Sequence, residues 1–213
     1  MPSVEQAQSW YLDDDPVHDF DHVMRVYRIA EKLALAEGAD LEIIRAAALL
    51  HDSVGSAPGN PGEARAEHHI LSAIFARQVL TEEGWAEERI QAVEHCIRAH
   101  RFRNKGEKPQ TIEAQVLFGA DKLDVLGAIG AARTIAYAAL DGQPSYAEPS
   151  QQFLETGVKQ PGEPHSSYHE YLFKLRRVKE LLFTHTGKQI AEQRDAFLRA
   201  FYEQLQAECH GER

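Results

Sequence analysis

The chain has 213 residues, with 23 Lys and Arg against 33 Asp and Glu, so its formal net charge is −10. This length is enough for one domain that buries most of its apolar surface without disulfide or metal cross-links, and the acidic balance argues against a sequence-independent grip on nucleic acid. Two cysteines are too few for a disulfide framework, so we expect reduced thiols. Neither a basic, apolar leader nor an apolar run of membrane-spanning length is seen, so we expect a cytoplasmic protein with no membrane partner.

Apolar residues recur at helical spacing nearly everywhere, and the strict alternation typical of strands is missing. The predicted helices cover roughly 19–37, 41–52, 63–83, 86–100, 111–124, 126–140, 166–183 and 187–208. Gly38 is expected to end the first helix, and Thr186 with Gln189 has the pattern of a capping box at the start of the last. The sequence therefore predicts an all-α chain. We expect a single domain over 1–213 with a C-terminal helical extension from about 166, whose amphipathic last helix could also support a homodimer.

Residues able to bind a metal stand at three places within or beside apolar helices. His18 and His22, spaced i and i+4, face the same side of the first long helix. His51 and Asp52 end an apolar helix abruptly, and Asp121 lies inside another, where an unpaired carboxylate is costly. A divalent cation would compensate that charge. Two imidazoles and two carboxylates suit ions such as Mn, Fe, Co, Ni or Zn.

The ordered set of His22, His51-Asp52 and Asp121 resembles the HD-domain phosphohydrolases, whose pattern is a histidine, a His-Asp doublet and a distant aspartate. The flanks resemble a bacterial branch of uncharacterised hydrolases: 18–26 has an HDxxH string followed by Arg-Val, and the Asp-Lys-Leu-Asp string at 121 precedes Gly-Ala-Ile-Gly. The resemblance covers almost the whole chain. It implies a compact helical bundle of the HD-domain type with a central metal site, where the four residues hold a divalent ion (Mn, Co, Ni, Fe, Zn or Mg) and water attacks phosphorus.

Further histidines are candidates for phosphate contact or proton transfer. By the resemblance, His69 and His100 lie roughly where relatives place extra imidazoles, so each could touch phosphate, shuttle a proton or hold a second ion. The alternatives are a solvated helix face beside His68 for His69, and a C-terminal position favoured by the helix dipole for His100. His18 could bind a phosphate oxygen or only cap its helix. The catalytic candidates are Asp52, His69 and His100.

Basic residues cluster after the fourth predicted helix of this acidic chain. Arg101 and Arg103, with Lys105 and Lys108, could clamp a polyphosphate or form a solvated loop. Lys122, which follows a predicted ligand, could reach a phosphate or face outward. Two histidines beside the Pro-rich stretch 141–164 could line the rim of the pocket or lie apart from it. These are His165 and His169.

The expected substrate is a small phosphorylated metabolite, with nucleotides as the leading class. The string HDSVGS at 51–56 lacks the acidic pair of the alarmone hydrolases, and the Gly-Tyr-Pro of cyclic-dinucleotide phosphodiesterases is missing after the basic stretch. Cleavage of a nucleoside triphosphate to monophosphate and pyrophosphate fits the basic loop better than removal of one terminal phosphate. The alternatives are a catalytically silent metal- or nucleotide-binding sensor on the same scaffold and a helical interaction module with incidental histidines.

Overall fold

The computed structural model describes residues 1–11, 20–54, 62–101 and 106–212, without the side chains of 62–66. Over these residues the chain forms ten α-helices, one 3-10 segment at Leu175–Leu181 and no strand, which confirms the predicted all-α class. The α-helices are α1 Val4–Gln8, α2 Phe20–Glu37, α3 Leu41–Leu50, α4 Gly62–Glu82, α5 Glu87–Ala99, α6 Ile112–Leu123, α7 Gly127–Leu140, α8 Gln151–Thr156, α9 Ser167–Phe173 and α10 His185–Cys209.

Three features differ from the predicted pattern. The short helix α1 was not predicted, and α8 lies inside a stretch predicted to be a loop. The Ser150 hydroxyl caps α8 by accepting from the Phe153 N–H, and Gly157, at φ +73°, ends the helix. The predicted helix over 166–183 is divided into α9 and the 3-10 segment, whose buried Leu175 and Val178 have the three-residue spacing that brings side chains to one face of a 3-10 helix.

The end of α2 follows the sequence pattern closely. The helix ends at Glu37, and Gly38 has φ +73°, the left-handed conformation in which a residue without Cβ carries no steric cost. The Ala39 N–H then donates to the Ala34 carbonyl at 3.0 Å, closing the last turn. The prediction that Gly38 stops this helix is confirmed.

The start of α10 differs from the predicted capping box. The cap is Thr184, whose hydroxyl accepts from the Gly187 N–H at 3.3 Å, and the helix begins at His185. The N–H of Thr186 instead donates to Glu37 Oε1 at 2.6 Å. The prediction of Thr186 as the cap was wrong because two threonines stand close together and a distant carboxylate decides between them.

The chain divides into two compact units, Met1–Asp121 with Leu182–Gly187, and Lys122–Leu181 with Lys188–Arg213. In the first unit α3 is central and packs against α1, α2, α4 and α5. In the second unit α9 packs against α7 and the 3-10 segment. The expectation of a single domain over 1–213 with a C-terminal extension stays a prediction.

Seven of the ten residues of helix α3 are buried, as expected of a helix that is largely apolar. Asp40 caps it by accepting hydrogen bonds from the N–H groups of Glu42 and Ile43. Each large side chain fully buried here contributes about 1.5–3 kcal/mol relative to exposure, and Leu49 and Leu50 are both inaccessible to solvent. The position of this core helix sets where the polar residues that follow it lie.

Among the described residues no single helix is long and apolar enough to cross a membrane. In the part of the chain that the structure describes, α6 and α7 taken together pass such a test, by length and composition alone. The part of α6 from Val116 to Ala120 is buried within the protein.

Candidate metal centre

Three of the four predicted metal ligands, His22, His51 and Asp52, offer ligand atoms within 4.8 Å of one another, and Asp121 lies beside His22. His22 Nε2 lies 3.4 Å from His51 Nε2, 3.7 Å from Asp52 Oδ2 and 3.6 Å from Asp121 Oδ1, and His51 Nε2 lies 3.7 Å from Asp52 Oδ2. Two ligands about 2.1 Å from one ion and about 90–120° apart are separated by about 3.0–3.6 Å. The four separations lie within this range or 0.1 Å above it, so the atoms are grouped closely enough for a divalent ion to draw them together.

Local helix geometry brings the two histidines to this point. His22 continues the buried side of α2 formed at helical spacing by Val26 and Ala30. His51 follows the last turn of α3, where its Nδ1–H donates to the Ala48 carbonyl at 2.8 Å. Because Nδ1 carries the proton, the lone pair of this imidazole is on Nε2, the atom that faces the other ligands.

The charges of the donor set also suit a divalent cation. Burial lowers the pKa of His51 to about 4, against the opposing charge of Asp52, so the imidazole is neutral at neutral pH. Burial alone would raise the pKa of Asp52, but His51, His68 and His100 outweigh it and hold that pKa well below its usual value. Neutral imidazole and ionised carboxylate are the forms that bind metals.

A second group of side chains meets the other oxygen of the Asp52 carboxylate. His68 Nε2 lies 3.2 Å and His100 Nε2 lies 3.5 Å from Asp52 Oδ1, and the two Nε2 atoms are 3.3 Å apart. His100 was among the predicted catalytic residues, whereas His68 was considered only as the neighbour of His69. Asp52 thus joins two histidine pairs, one on each oxygen.

His69 lies beside this group rather than in it. Its ring centroid is 5.7 Å from that of His68 and 6.5 Å from that of His100, and its Nδ1 is buried without a hydrogen-bond partner among the described residues. Burial, with the nearby His100, His68 and Arg101, lowers its pKa to about 4. A catalytic role for His69 stays a prediction.

Helix periodicity could have indicated His68, but not uniquely. Ser72 and Ala76 follow it at four-residue spacing and are both fully buried, and the Ser72 hydroxyl accepts from the Val54 N–H at 3.1 Å. Ala73, four residues after His69, is buried as well. Both histidines of the pair therefore adjoin the buried side of α4, and the pattern alone does not separate them.

Tyr11 was missed by the sequence reasoning. Its hydroxyl donates to the Leu49 carbonyl at 2.8 Å, in the turn of α3 that precedes the ligands. Burial and the charge of Asp52 raise the pKa of Tyr11 well above its usual value. Trp10 beside it packs edge-on against Phe75 of α4, with centroids 5.3 Å apart. Helix α1 and the residues after it thus support the metal centre.

The predicted substrate-binding residues have mixed outcomes. Arg101 is brought to the centre, where its Nη1 lies 3.1 Å from His68 Nδ1. Lys122 is half-buried near the end of α6 and belongs to the second unit, so its contact with substrate stays a prediction. His18 and Arg103 lie outside the described residues, as does Lys105.

The chain that follows the basic stretch is tied back to α5. Glu107 accepts from His95 Nδ1–H at 2.5 Å and from Arg98 Nε–H at 2.7 Å, and the Gln110 N–H donates to His95 Nε2 at 3.1 Å. Lys108, the last residue of the basic stretch 101–108, is exposed. This arrangement holds one end of the basic stretch against the helix that carries His100.

The two histidines predicted for a pocket rim lie in the second unit, each beside a carboxylate of that unit. His169 is buried, with Nε2 3.1 Å from Glu163 Oε1 and Nδ1 2.7 Å from the Ser166 hydroxyl. His165 Nε2 lies 3.1 Å from Glu170 Oε2. These contacts support a structural role, and a place on the rim stays a prediction.

Comparison with known proteins connects this centre with a family. A family model described as the HD domain matches residues 19–126. The uncharacterised protein YpgQ of Bacillus subtilis (strain 168) is 30% identical over 218 residues, covering 99% of this chain and 96% of the relative.

Solved structures agree with this comparison. The crystal structure of Bacillus subtilis YpgQ in complex with ADP matches with a TM-score of 0.72 and 29% identity, covering 97% of each chain. The structure of an HD-superfamily hydrolase from Bacillus thuringiensis matches with a TM-score of 0.69 and 30% identity, covering 97% of this chain and 96% of the other. Similarity of sequence and of fold thus extends over nearly the full chain.

Proposed function

The chain belongs to the HD-domain family, and on that basis we propose that it is a metal-dependent phosphohydrolase that acts on a nucleotide. The observation that carries the proposal is the grouping of His22, His51 and Asp52 at 3.4–3.7 Å, with Asp121 Oδ1 3.6 Å from His22 Nε2. The ADP bound to the related YpgQ supports a nucleotide as the ligand class.

The same four residues would hold the ion, and the rest of the centre would orient them. When bound, a divalent ion lowers the pKa of a coordinated water and neutralises phosphoryl oxygens. The Ala48 carbonyl keeps His51 in the tautomer that presents Nε2. Asp52 directs Oδ2 toward His22 and His51, while Oδ1 faces His68 and His100.

For the reaction itself we propose cleavage of a nucleoside triphosphate to monophosphate and pyrophosphate. The support is the placement of charge: four basic residues lie between 101 and 108 in a chain of net charge −10. A triphosphate carries more negative charge than a monophosphate and gains more from such a stretch. A silent metal- or nucleotide-binding sensor would use the same ligands, so turnover has to be measured directly.

The test combines metal content with a nucleotide panel. Protein purified without added metal is analysed for bound transition metal and then assayed on nucleoside mono-, di- and triphosphates with Mn, Co, Ni or Mg. Asp52→Asn removes the charge of a ligand at constant size, and Asp141→Asn, at an exposed position of the second unit, is the matched control. Circular dichroism and thermal unfolding establish that both variants fold.

We expect about one ion per wild-type chain and release of pyrophosphate from triphosphates, with the control unchanged. Asp52→Asn should lose metal affinity and turnover by at least about 100-fold, since even outer contacts of metal ligands are worth about 10–100-fold. Metal binding without turnover would favour the sensor. Release of orthophosphate from monophosphates only would contradict the pyrophosphohydrolase assignment, and no bound metal under any condition would overturn the ligand set.

A further inference from the structure

The second unit contains an open cleft of about 410 Å³, lined by the end of α8, the end of α9 and the 3-10 segment. This volume lies within the range of about 300–1,000 Å³ that is usual for sites of small ligands. All the residues that line the cleft belong to the second unit, and none of them is a predicted metal ligand or substrate contact. Three kinds of group meet there: two arginines, an aromatic ring and a set of hydrogen-bond acceptors.

The arginines are Arg176 and Arg177, which are adjacent in the 3-10 segment and both exposed. Over the described residues, the structure gives neither guanidinium group an ion pair. Lys174 and Lys179 in the same stretch, by contrast, bond to carboxylates of the second unit at 2.7 Å and 2.8 Å. The two arginines can therefore bind an external anion, and the guanidinium fork matches a phosphate group in two parallel hydrogen bonds.

The aromatic ring is that of Phe173. Gly157 ends α8 at φ +73°, and a Cβ added there would lie 2.7 Å from two ring carbons of Phe173. The ring therefore packs against bare backbone, in a conformation that glycine adopts without steric cost. It also lies near the ring of Phe153, with centroids 6.4 Å apart. Phe173 is nevertheless half-exposed, so part of its surface is free for a planar group to stack on.

The hydrogen-bond acceptors lie at the end of α8. The Val158 N–H would be the helical donor to the Leu154 carbonyl, but it donates to the Thr156 hydroxyl at 3.1 Å. The carbonyl is thus one of the acceptors that an α-helix leaves at its C-terminus. Glu155 adds a carboxylate, one oxygen of which accepts from Gln151 Nε2 at 2.7 Å. This part of the cleft suits hydroxyl and amino groups rather than a phosphate.

We propose that the cleft binds a nucleoside monophosphate, with the phosphate on Arg176 and Arg177 and the base on Phe173. One phosphate group carries a charge of about −1.5 to −2 near pH 7, which two guanidinium groups balance. The hydroxyls of the ribose and the amino group of a base such as adenine donate to the acceptors at the end of α8. A triphosphate carries more negative charge than two arginines offset, and Glu155 repels the excess.

The inference does not rest on the function proposed above, because binding in the cleft requires neither metal nor turnover. The ligand belongs to the class of product expected from that function. Failure of the proposed function would appear as missing metal or missing turnover, whereas failure of this inference would appear in the binding measurements that follow.

The test measures the binding of adenosine monophosphate by equilibrium dialysis, in chelating buffer at low ionic strength, where exposed charges are least screened. The measurements use the wild-type chain and Asp52→Asn, which disables the other proposed nucleotide site. In each background, Arg176→Met with Arg177→Met removes both charges of the cleft. The control, Lys188→Met with Arg199→Met, removes two exposed charges of the same unit that do not line it.

In the Asp52→Asn background we expect a Kd at or below about 1 mM, raised at least about 10-fold by loss of the arginine pair and less than about 2-fold in the control. An equal loss of affinity in the two double variants would overturn the assignment to the cleft. Phe173→Leu keeps an apolar side chain but removes the ring, so the Kd for adenosine monophosphate should rise about 3- to 10-fold while that for ribose 5-phosphate stays unchanged. Equal affinities for adenosine monophosphate and inorganic phosphate would overturn the nucleotide assignment.

Nitrogen-15 NMR of the wild-type chain gives a readout that does not depend on the folding of a double variant. The Nε–H signals of the two arginines are assigned by their loss in the single variants Arg176→Met and Arg177→Met. We expect adenosine monophosphate to shift both signals, and to shift them equally in Asp52→Asn. Signals that do not move, or shifts that vanish in Asp52→Asn, would overturn the proposal.

Discussion

Acidification of the metal-free protein tests the buried state of His51. The side chain is inaccessible to solvent, and its Nδ1–H is bonded to the Ala48 carbonyl. Burial lowers its pKa from 6.5 to about 4. Between these two values the unfolded chain takes up a proton that the folded protein does not, so the free energy of unfolding decreases as the pH falls. This stability is complete above pH 6.5 and is lost progressively as the pH falls toward 4.

The size of the effect follows from the pKa difference. One pKa unit corresponds to about 1.4 kcal/mol, so the loss reaches about 3 kcal/mol at pH 4 and about 2–3 kcal/mol at pH 4.5. Since native domains are stable by only about 5–15 kcal/mol, such a change is easily measured. His69, whose pKa burial also lowers to about 4, adds an effect of the same sign, so the contribution of His51 has to be isolated by comparison with a His51 variant.

Urea unfolding in chelating buffer between pH 7.5 and 4.5 measures the effect. Wild type is compared with His51→Gln, and the exposed His210→Gln serves as the control. We expect the stability advantage of wild type over His51→Gln to shrink by about 2–3 kcal/mol across this range, while the control keeps the wild-type pH dependence. Parallel pH profiles for wild type and His51→Gln would refute the claim that His51 is held neutral by burial.

Two further predictions concern packing and thiol exposure. Gly130→Ala would place a Cβ against the Val125 carbonyl oxygen, whereas the Cβ of Gly119→Ala meets only ordinary contacts. In thermal unfolding, the free energy of unfolding should fall by about 1–3 kcal/mol in Gly130→Ala and rise by up to about 1 kcal/mol in Gly119→Ala. Equal effects of the two substitutions would contradict the packing. Cys96 is buried, which raises its pKa, and Cys209 is exposed. Iodoacetamide should therefore modify one thiol in the native chain and two after denaturation. Rapid labelling of both thiols in the native chain would contradict the burial of Cys96.

Most helices could be predicted because their signals are local. Periodic apolar residues mark the helices that line the first unit, and Gly38 ends α2 by a conformation that depends on one residue. The break between α9 and the 3-10 segment has no such signal, since Phe173, Lys174 and Leu175 include neither proline nor glycine. Thr184 caps α10, and the N–H of Thr186 donates to Glu37, which is far away in the chain and could not be paired with it from the sequence.

In the candidate site, too, some residues could be predicted from the sequence and others could not. His22, His51, Asp52 and Asp121 could be named from order, spacing and the cost of burying charge in apolar helices. The choice between the adjacent histidines His68 and His69 in α4 could not be made from the sequence, because both adjoin the buried side of the helix. His68, rather than its neighbour, reaches Asp52 only through the packing of α4 on α3 and α5.

By itself, the sequence determined the helical class, the family and four ligand candidates, because these depend on residue order and on periodicity along single helices. Only the tertiary structure decided which histidines reach Asp52 and which of its oxygens each one faces. Those properties arise from contacts between groups distant in sequence, such as Arg101 with His68.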